Sequence, residues 1–111
     1  MEVNGKTIEL DDEGYLLDPG DWSMEVAEAL ASEESMELTD ERLEIVHFVR
    51  EHFEESECIP EMRRLLQTLR ERHGKDIATR KYVYQLFPYG YGQQACKIAG
   101  MRKPLKLLLD L

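Results

Sequence analysis

The stretch that decides the fold is TDERLEIVHFVREHFEE, residues 39–55, in the middle of the chain. Thr39 fits a helix N-cap, where a hydroxyl accepts a hydrogen bond from a free backbone N–H, and Asp40 and Glu41 suit the positive end of the helix dipole. The apolar residues that follow share one broad face of a helix. They are Ile45, Val46, Phe48, Val49 and Phe53. We therefore predict a helix that runs to about Glu55 and forms the centre of the core.

A hairpin and a helix are predicted before this segment. Val3-Asn4-Gly5-Lys6 places Asn-Gly between the runs MEV and KTIEL, which is typical of a type I′ turn. Gly14-Tyr15-Leu16-Leu17 is expected to continue the sheet until Pro19-Gly20 breaks it. Helical spacing then runs from Trp22 to near Glu33. Its apolar face holds Met24, Ala27, Leu30 and Ala31.

Two helices are predicted after the central one. Pro60 suits a first helical turn, and Gly74 ends that helix. Its apolar residues are Met62, Leu65, Leu66 and Leu69. A shorter helix from about Thr79 to Phe87, stopped by Pro88, is expected to bury three residues. They are Tyr82, Val83 and Leu86.

The last part of the chain is predicted as a loop, a short helix and a tail. Tyr89-Gly90-Tyr91-Gly92 indicates a flexible loop, and a helix from about Gln93 to Ala99 carries Cys96. Gly100 caps that helix and Pro104 starts the tail. The tail's apolar residues, which can dock on the protein's own surface or in a partner groove, are Leu105, Leu107, Leu108, Leu109 and Leu111.

The length and composition predict one mostly α domain with a cytoplasmic location. The chain has 111 residues, 42% hydrophobic and 33% charged, and lacks an apolar run of about 18 residues or a signal peptide. We predict a small helical bundle with helix-turn-helix-like packing, an N-terminal β-hairpin and a C-terminal arm. Within 1–111, the hairpin region spans 1–17, the helical core 22–100 and the arm 101–111.

Charge is divided unevenly along the sequence. Residues 1–62 hold 20 acidic and 3 basic residues, a net of −17, whereas residues 63–111 hold 3 acidic and 11 basic residues, a net of +8. The basic half suits an acidic partner, a phosphate backbone or a small anion. Alternatively, the two halves attract each other within one fold.

Two successive basic helices joined near residues 73–76 resemble a helix-turn-helix. Their basic residues suit DNA, but the turn is longer than the usual one and the N-terminal half is acidic. We therefore favour two core helices with a solvated basic face, and expect no nucleic-acid partner. The basic residues are Arg63, Arg64, Arg70, Arg72, Arg80 and Lys81.

The histidines do not predict a metal site. His47 and His52 are five residues apart, which places them about 140° apart around a helix. His73 stands far along the chain from both. No phosphate-binding loop or dinucleotide fingerprint occurs, so neither a metal nor a cofactor is expected.

The two cysteines lead to different predictions. No motif surrounds Cys58, and it is interpreted as a free, inert core residue. Cys96 is predicted near the start of a short helix, where N–H groups and the dipole stabilise a thiolate, and Lys97, Arg102 and Lys103 add positive charge. Such a thiolate can carry a persulfide or enter a mixed disulfide. An inert Cys96 in the core is the alternative.

Motifs in this order along nearly the whole chain resemble the DsrC/TusE family of sulfur-relay proteins. The most distinctive block is Ala95-Cys96-Lys97-Ile98-Ala99-Gly100, followed by Lys103-Pro104. The others are Asn4-Gly5-Lys6, Glu13-Gly14-Tyr15-Leu16, Trp22, Val26-Ala27, Leu38-Thr39, Phe48-Val49-Arg50, Pro60 with Arg63, Tyr82-Val83-Tyr84 and Leu86-Phe87-Pro88. The resemblance implies a mostly helical protein whose mobile C-terminal arm carries sulfur on a penultimate cysteine and inserts into a partner.

The sequence departs from that family pattern at three places. Leu107 stands where the arm-tip cysteine is expected, Tyr91 replaces the proline of a Gly-Pro loop, and Arg42-Leu43 replaces a His-Trp pair. Cys96 matches the second cysteine of DsrC proper. An arm-to-helix disulfide therefore cannot form unless Cys58 lies within about 7 Å of Cys96 between Cα atoms.

Two functions remain open from the sequence. The first is a monomeric sulfur carrier, rather than a conventional enzyme, that acts with a sulfite reductase or sulfurtransferase complex and bears sulfur on Cys96. Lys97, Arg102 and Lys103 then stabilise the thiolate or hold an acidic partner. The alternative is a non-catalytic regulatory or docking paralogue that has lost the relay cysteine.

Overall fold

The computed structural model describes residues 1–103. Pro104, which is predicted to start the tail, lies outside the described residues, as does the apolar tail. The same holds for Leu107, which stands where the arm-tip cysteine is expected. Most of the predicted arm, 101–111, therefore lies outside them too, and its boundary with the core stays a prediction.

The predicted N-terminal hairpin is confirmed. β1 (Glu2–Val3) pairs antiparallel with β2 (Lys6–Thr7). Asn4 and Gly5 join the strands with φ angles of 53° and 79°, the positive values that a type I′ turn requires. Local sequence therefore determines this turn.

The region after the hairpin contains less sheet than predicted. Leu10 and Leu16 form a single isolated antiparallel bridge, so the segment around Gly14 to Leu17 does not add a full strand. A short 3-10 turn follows at Pro19–Asp21, and the Asp18 side chain caps it by accepting from Gly20 N at 2.9 Å.

Four of the predicted helices form close to their predicted bounds. They are α1 (Met24–Glu33), α2 (Asp40–Ser56), α3 (Met62–His73) and α4 (Arg80–Leu86). The hydroxyls of Ser23, Thr39 and Thr79 cap α1, α2 and α4 by accepting from backbone N–H groups. Gly74 ends α3 as predicted, but Pro60 lies before the helix rather than in its first turn.

The core forms around α2, as the opening stretch predicted. Ile45, Val46 and Val49 are completely buried, Phe48 is nearly so, and Phe53 is half-buried at the edge. Full burial of one such aliphatic side chain contributes roughly 1.5–3 kcal/mol to stability. Buried side chains from the other helices pack in the same cluster. They include Val26, Leu30, Met62, Leu65, Leu69, Val83 and Phe87.

Three residues predicted to be buried lie at the margin of this core. Leu66 of α3, and Tyr82 and Leu86 of α4, are half-buried and pack against the buried cluster from outside. The helices α3 and α4 that carry them are joined by residues 74–79. The predicted helix-turn-helix-like packing of these two helices stays a prediction.

The segment from Tyr89 to Gly92 is not the flexible loop that the sequence predicted. Tyr91–Ala95 forms a π-helical turn that continues into one α-helical turn, α5 (Cys96–Ile98). Tyr91 and Gly92 are buried, whereas Tyr89 is 72% exposed. The glycines indicated a loop, but burial of the Tyr91 ring and the backbone hydrogen bonds of the π turn order the segment.

Ion pairs join the acidic and basic halves of the chain. Glu44 on α2 accepts from Arg72 at 3.3 Å and from His73 at 2.8 Å, both at the end of α3. The halves therefore do attract each other within the fold. Within residues 1–103, none of the helices is long and apolar enough to cross a membrane.

Replacing Gly100 by alanine is expected to destabilise the protein more than the same change at Gly5. Both glycines have φ of +79°, which costs an alanine about 1–2 kcal/mol. An added Cβ meets nothing within 4 Å at Gly5, but would lie 2.5 Å from Trp22 Cδ1 at Gly100. Overpacking of this kind costs about 1–3 kcal/mol more.

Urea unfolding of wild type, Gly5→Ala and Gly100→Ala measures both effects. Gly5→Ala controls for backbone strain alone. Equal losses of unfolding free energy in the two variants would show that the contact with Trp22 is unimportant.

Candidate functional site

Cys96 occupies an enclosed position at the junction of the π turn and α5. Its side chain has 0% exposure. Its N–H donates to Tyr91 O, and its carbonyl accepts from Met101 N at 3.1 Å. Cys96 was predicted in the first turn of a helix whose N–H groups stabilise a thiolate, but a π turn precedes it and already uses the N–H of Cys96.

A stack of Trp22 and Arg50 fixes the end of α5. Trp22 Nε1 donates to Ile98 O at 2.8 Å, and Arg50 Nη1 donates to Pro19 O at 2.9 Å and to Ala99 O at 3.3 Å. The Arg50 guanidinium lies 4.9 Å from the centroid of the Trp22 ring, a cation–π contact worth about 0.5–2 kcal/mol. These contacts hold the Cys96 turn against α2 and the 3-10 turn.

Lys97 points into a neighbouring recess and is already paired. Its Nζ lies 3.6 Å from Glu34 Oε1 and 5.4 Å from the centroid of the Tyr15 ring. Gly14, with φ of +89°, passes so close that an added Cβ would lie 3.0 Å from Lys97 Cε. The side chain of Lys97 is thus held between α1 and the turn before Leu16.

Lys103 and Arg102 differ in their surroundings. Lys103 Nζ donates to Glu13 Oε2 at 2.6 Å, and this hydrogen bond raises the pKa of Lys103. Arg102 is exposed. The structure therefore brings Lys97 and Lys103 to carboxylates of the N-terminal segments, and it leaves Arg102 at the surface.

The recess beside Lys97 has a volume of about 270 Å³ and a mixed lining of charge and aromatic rings. Glu13, Tyr15, Glu34 and Tyr89 line it together with Lys97. Neither Glu13 nor Glu34 could be recognised as a partner from the sequence, because each is one of 20 acidic residues in the first 62. The turn Asp11-Asp12-Glu13-Gly14 was the available signal for Glu13.

Tyr15 is the most perturbed titratable group at this recess. Burial raises its pKa from 10.0 to about 12, and the negative charges of Glu13, Cys96, Asp11 and Glu34 add to the shift. The Tyr15 hydroxyl donates to Gly92 O at 3.2 Å. A neutral phenol therefore lies between the acidic turn and the Cys96 segment.

Tyr91 links this segment to a second loop. Its hydroxyl donates to Pro60 O at 2.6 Å in a buried position, so the tyrosine that replaces the expected proline has a structural role. The same loop carries Cys58, which is exposed. The prediction that Cys58 lies in the core was therefore wrong. Neither cysteine forms a disulfide, and residues 1–103 contain no group of three potential metal ligands.

A known protein family matches nearly the whole chain, including the segment around Cys96. A family model described as DsrC like protein matches residues 2–108. The chain belongs to the DsrC-like family. The predicted family resemblance and fold class are both confirmed.

Curated relatives and solved structures match this DsrC-like chain over most of its length. The "Sulfurtransferase TusE homolog" of Haemophilus influenzae is 40% identical, covering 97% of this chain and 99% of the relative. The NMR structure of Allochromatium vinosum DsrC is 42% identical with a TM-score of 0.84, covering 94% and 93% of the two chains. The crystal structure of the oxidised γ-subunit of dissimilatory sulfite reductase (DsrC) from Archaeoglobus fulgidus is 37% identical, also with a TM-score of 0.84, and covers 94% and 95%.

The raised pKa of Tyr15 predicts a loss of stability at alkaline pH. Below about pH 10 the phenol is neutral in the folded and unfolded chains, whereas between about pH 10 and 12 only the unfolded chain ionises it. Tyr15→Phe is expected to lower the free energy of unfolding by about 1 kcal/mol at pH 8, because the hydrogen bond is lost. At about pH 11 the same change should lower it by less or not at all.

Urea unfolding at the two pH values measures this difference. Tyr84→Phe is the control, because Tyr84 is 40% exposed. If Tyr15→Phe is equally destabilising at both pH values, the folded chain does not hold this phenol neutral.

The two thiols are expected to react at very different rates. Cys58 is exposed, whereas Cys96 is completely buried and needs a local opening before a reagent reaches it. With an aromatic disulfide reagent, one thiol should react quickly and the second at least about tenfold more slowly. Cys58→Ser should remove the fast phase and Cys96→Ser should keep it. Two equally fast thiols would contradict the burial of Cys96.

Proposed function

We propose that this chain is a cytoplasmic sulfur carrier of the DsrC-like family that receives and passes on sulfur through Cys96. The match of the family model to residues 2–108 carries this proposal, because it includes the whole block around Cys96. Curated relatives about 40% identical bear the name sulfurtransferase TusE, and similar structures are γ-subunits of dissimilatory sulfite reductase. A sulfurtransferase or sulfite reductase complex is accordingly the proposed partner.

The chemical step is a persulfide transfer. The Cys96 thiol loses its proton, and the thiolate attacks the outer sulfur of a donor persulfide. A new S–S bond forms on Cys96, the S–S bond of the donor breaks, and the donor leaves as a thiolate. Oxidation states balance without a cofactor, and the chain acts as a carrier rather than a conventional enzyme.

Burial of Cys96 gives this step a structural requirement. The thiol has no exposed surface, so the donor reaches it only after the segment around α5 opens. Residues beyond α5 are tied to this region, since Met101 N donates to Cys96 O and Lys103 pairs with Glu13. A partner that displaces this segment would expose the thiol.

Lys97, Arg102 and Lys103 supply the proposed contacts to that partner. Arg102 is exposed, and Lys97 and Lys103 already bind carboxylates within the chain, which supports their pairing with carboxylates of an acidic partner. Carboxylates of the partner would replace Glu34 and Glu13. Displacement of Glu13 also releases Lys103 and the residues next to it.

The alternative function is that of a regulatory or docking paralogue without relay chemistry. Complete burial of Cys96, together with leucine at position 107, favours this alternative. Such a protein would use the same surface to bind a sulfurtransferase or sulfite reductase complex as a monomer, and it would bear no sulfur.

Sulfur loading by a cysteine desulfurase with free cysteine distinguishes the two functions. Intact-protein mass spectrometry is expected to show one added sulfur atom on Cys58→Ser and none on the Cys58→Ser/Cys96→Ser double variant. The Cys58→Ser background removes the exposed thiol, so any added sulfur reports on Cys96.

Each result has a defined meaning. Sulfur on both proteins would exclude Cys96 as the carrier. Absence of sulfur from both, with retained binding of a sulfurtransferase complex, would support the docking paralogue.

A further inference from the structure

A second recess, of about 440 Å³, lies between the end of α2 and the start of α3. The residues that line it include Cys58, His52, Arg63 and Arg64. A volume of this size suits a small-molecule ligand. None of these four residues belongs to the site around Cys96 and Lys97.

His52 is held in a defined orientation at this recess. Its Nδ1 lies 3.0 Å from Cys58 O and 3.3 Å from Ser56 Oγ. A carbonyl oxygen only accepts, and the Ser56 hydroxyl already donates to His52 O at 2.7 Å, so Nδ1 carries a proton. In the neutral imidazole the lone pair is therefore on Nε2, which can accept a proton.

The two arginines bring positive charge to this recess on an acidic protein, although Glu51, Glu55 and Glu71 line an adjoining recess that shares His52 and Arg64. Arg63 pairs with Glu61 at 3.6 Å, but both side chains are largely exposed and the contact is weak. Arg64 has no carboxylate partner within residues 1–103. Two guanidinium groups thus face one carboxylate, although the whole chain has a net charge of −9.

The start of α3 adds to this positive potential. The N-cap residue, Glu61, makes no side-chain hydrogen bond to the first turn. Free N–H groups in a first turn and the helix dipole favour an anion nearby. Cys58 is therefore an exposed cysteine that shares this recess with His52 and with two arginines that can bind carboxylates.

We propose that Cys58 is a thiol–disulfide exchange site for small anionic disulfides of the glutathione class. The Cys58 proton passes to His52 Nε2 or to water, and the thiolate attacks one sulfur of the disulfide. A mixed disulfide forms on Cys58, the original S–S bond breaks, and the other half leaves as a thiolate that takes up a proton. Cys58 is oxidised and the released half is reduced, so electrons balance.

This reaction goes beyond the proposed sulfur carriage and does not depend on it. The two use different cysteines, and Cys58 needs no opening of the fold because it is exposed. A mixed disulfide would close the recess with an anionic group beside α3.

The test compares oxidised glutathione, which is anionic, with cystamine, which is a cationic disulfide. We expect wild type to form the glutathione adduct on Cys58 faster than the cystamine adduct at low salt, even though the net charge of the protein favours the cation. Arg64→Gln should slow the glutathione reaction about threefold and leave the cystamine reaction unchanged or faster. Mass spectrometry of the intact protein and its peptides gives the rates and the modified residue.

Arg70→Gln is the matched control, since Arg70 is an exposed arginine of the same helix that does not line the recess. Arg70→Gln should leave the faster reaction with oxidised glutathione than with cystamine intact. Added salt should reduce that difference in wild type. Cys58→Ser should form no rapid adduct. Faster reaction with cystamine, equal effects of Arg64→Gln and Arg70→Gln, or modification at Cys96 instead would overturn the proposal, whatever the outcome of sulfur loading.

Discussion

The stack of Trp22 on Arg50 is the interaction on which the site depends. One guanidinium joins α2 to the carbonyls of Pro19 and Ala99, and the indole N–H binds the carbonyl of Ile98. Helix C-terminal carbonyls need partners when they are buried, and here two side chains from distant parts of the chain supply them. The position of the Cys96 turn is therefore set by side-chain hydrogen bonds as well as by apolar packing.

Charge pairs join the acidic and basic halves of the chain within one domain. Glu34 and Glu13 come from the acidic half and bind Lys97 and Lys103 of the basic half, and Glu44 binds the end of α3. The more exposed of these pairs contribute about 0–1 kcal/mol each, whereas the Lys97–Glu34 pair is largely buried. These pairs affect the local electrostatic potential more than the stability, because carboxylates neutralise Lys97 and Lys103.

Local signals explain which parts of the fold were predictable. The caps at Thr39 and Thr79 and the turn at Asn4-Gly5 depend on a few adjacent residues, so the sequence was sufficient to find them. The π turn at Tyr91–Ala95 depends on long-range burial of Tyr91 against the Pro60 loop, and no local pattern encodes that contact. Exposure of Cys58 and the pairing of Lys97 with Glu34 are likewise results of tertiary packing.

The hydrogen bond from Tyr91 to Pro60 has a consequence for how the two thiols are studied. It joins the segment that carries Cys96 to the loop that carries Cys58, so the two cysteines lie in segments that share a buried contact. Substitutions at neighbouring, connected positions are commonly non-additive, by about 0.5–3 kcal/mol. This contact is a route by which a change at one cysteine can alter the energetic effect of a change at the other, and the difference between the double variant and the sum of the single variants measures that coupling.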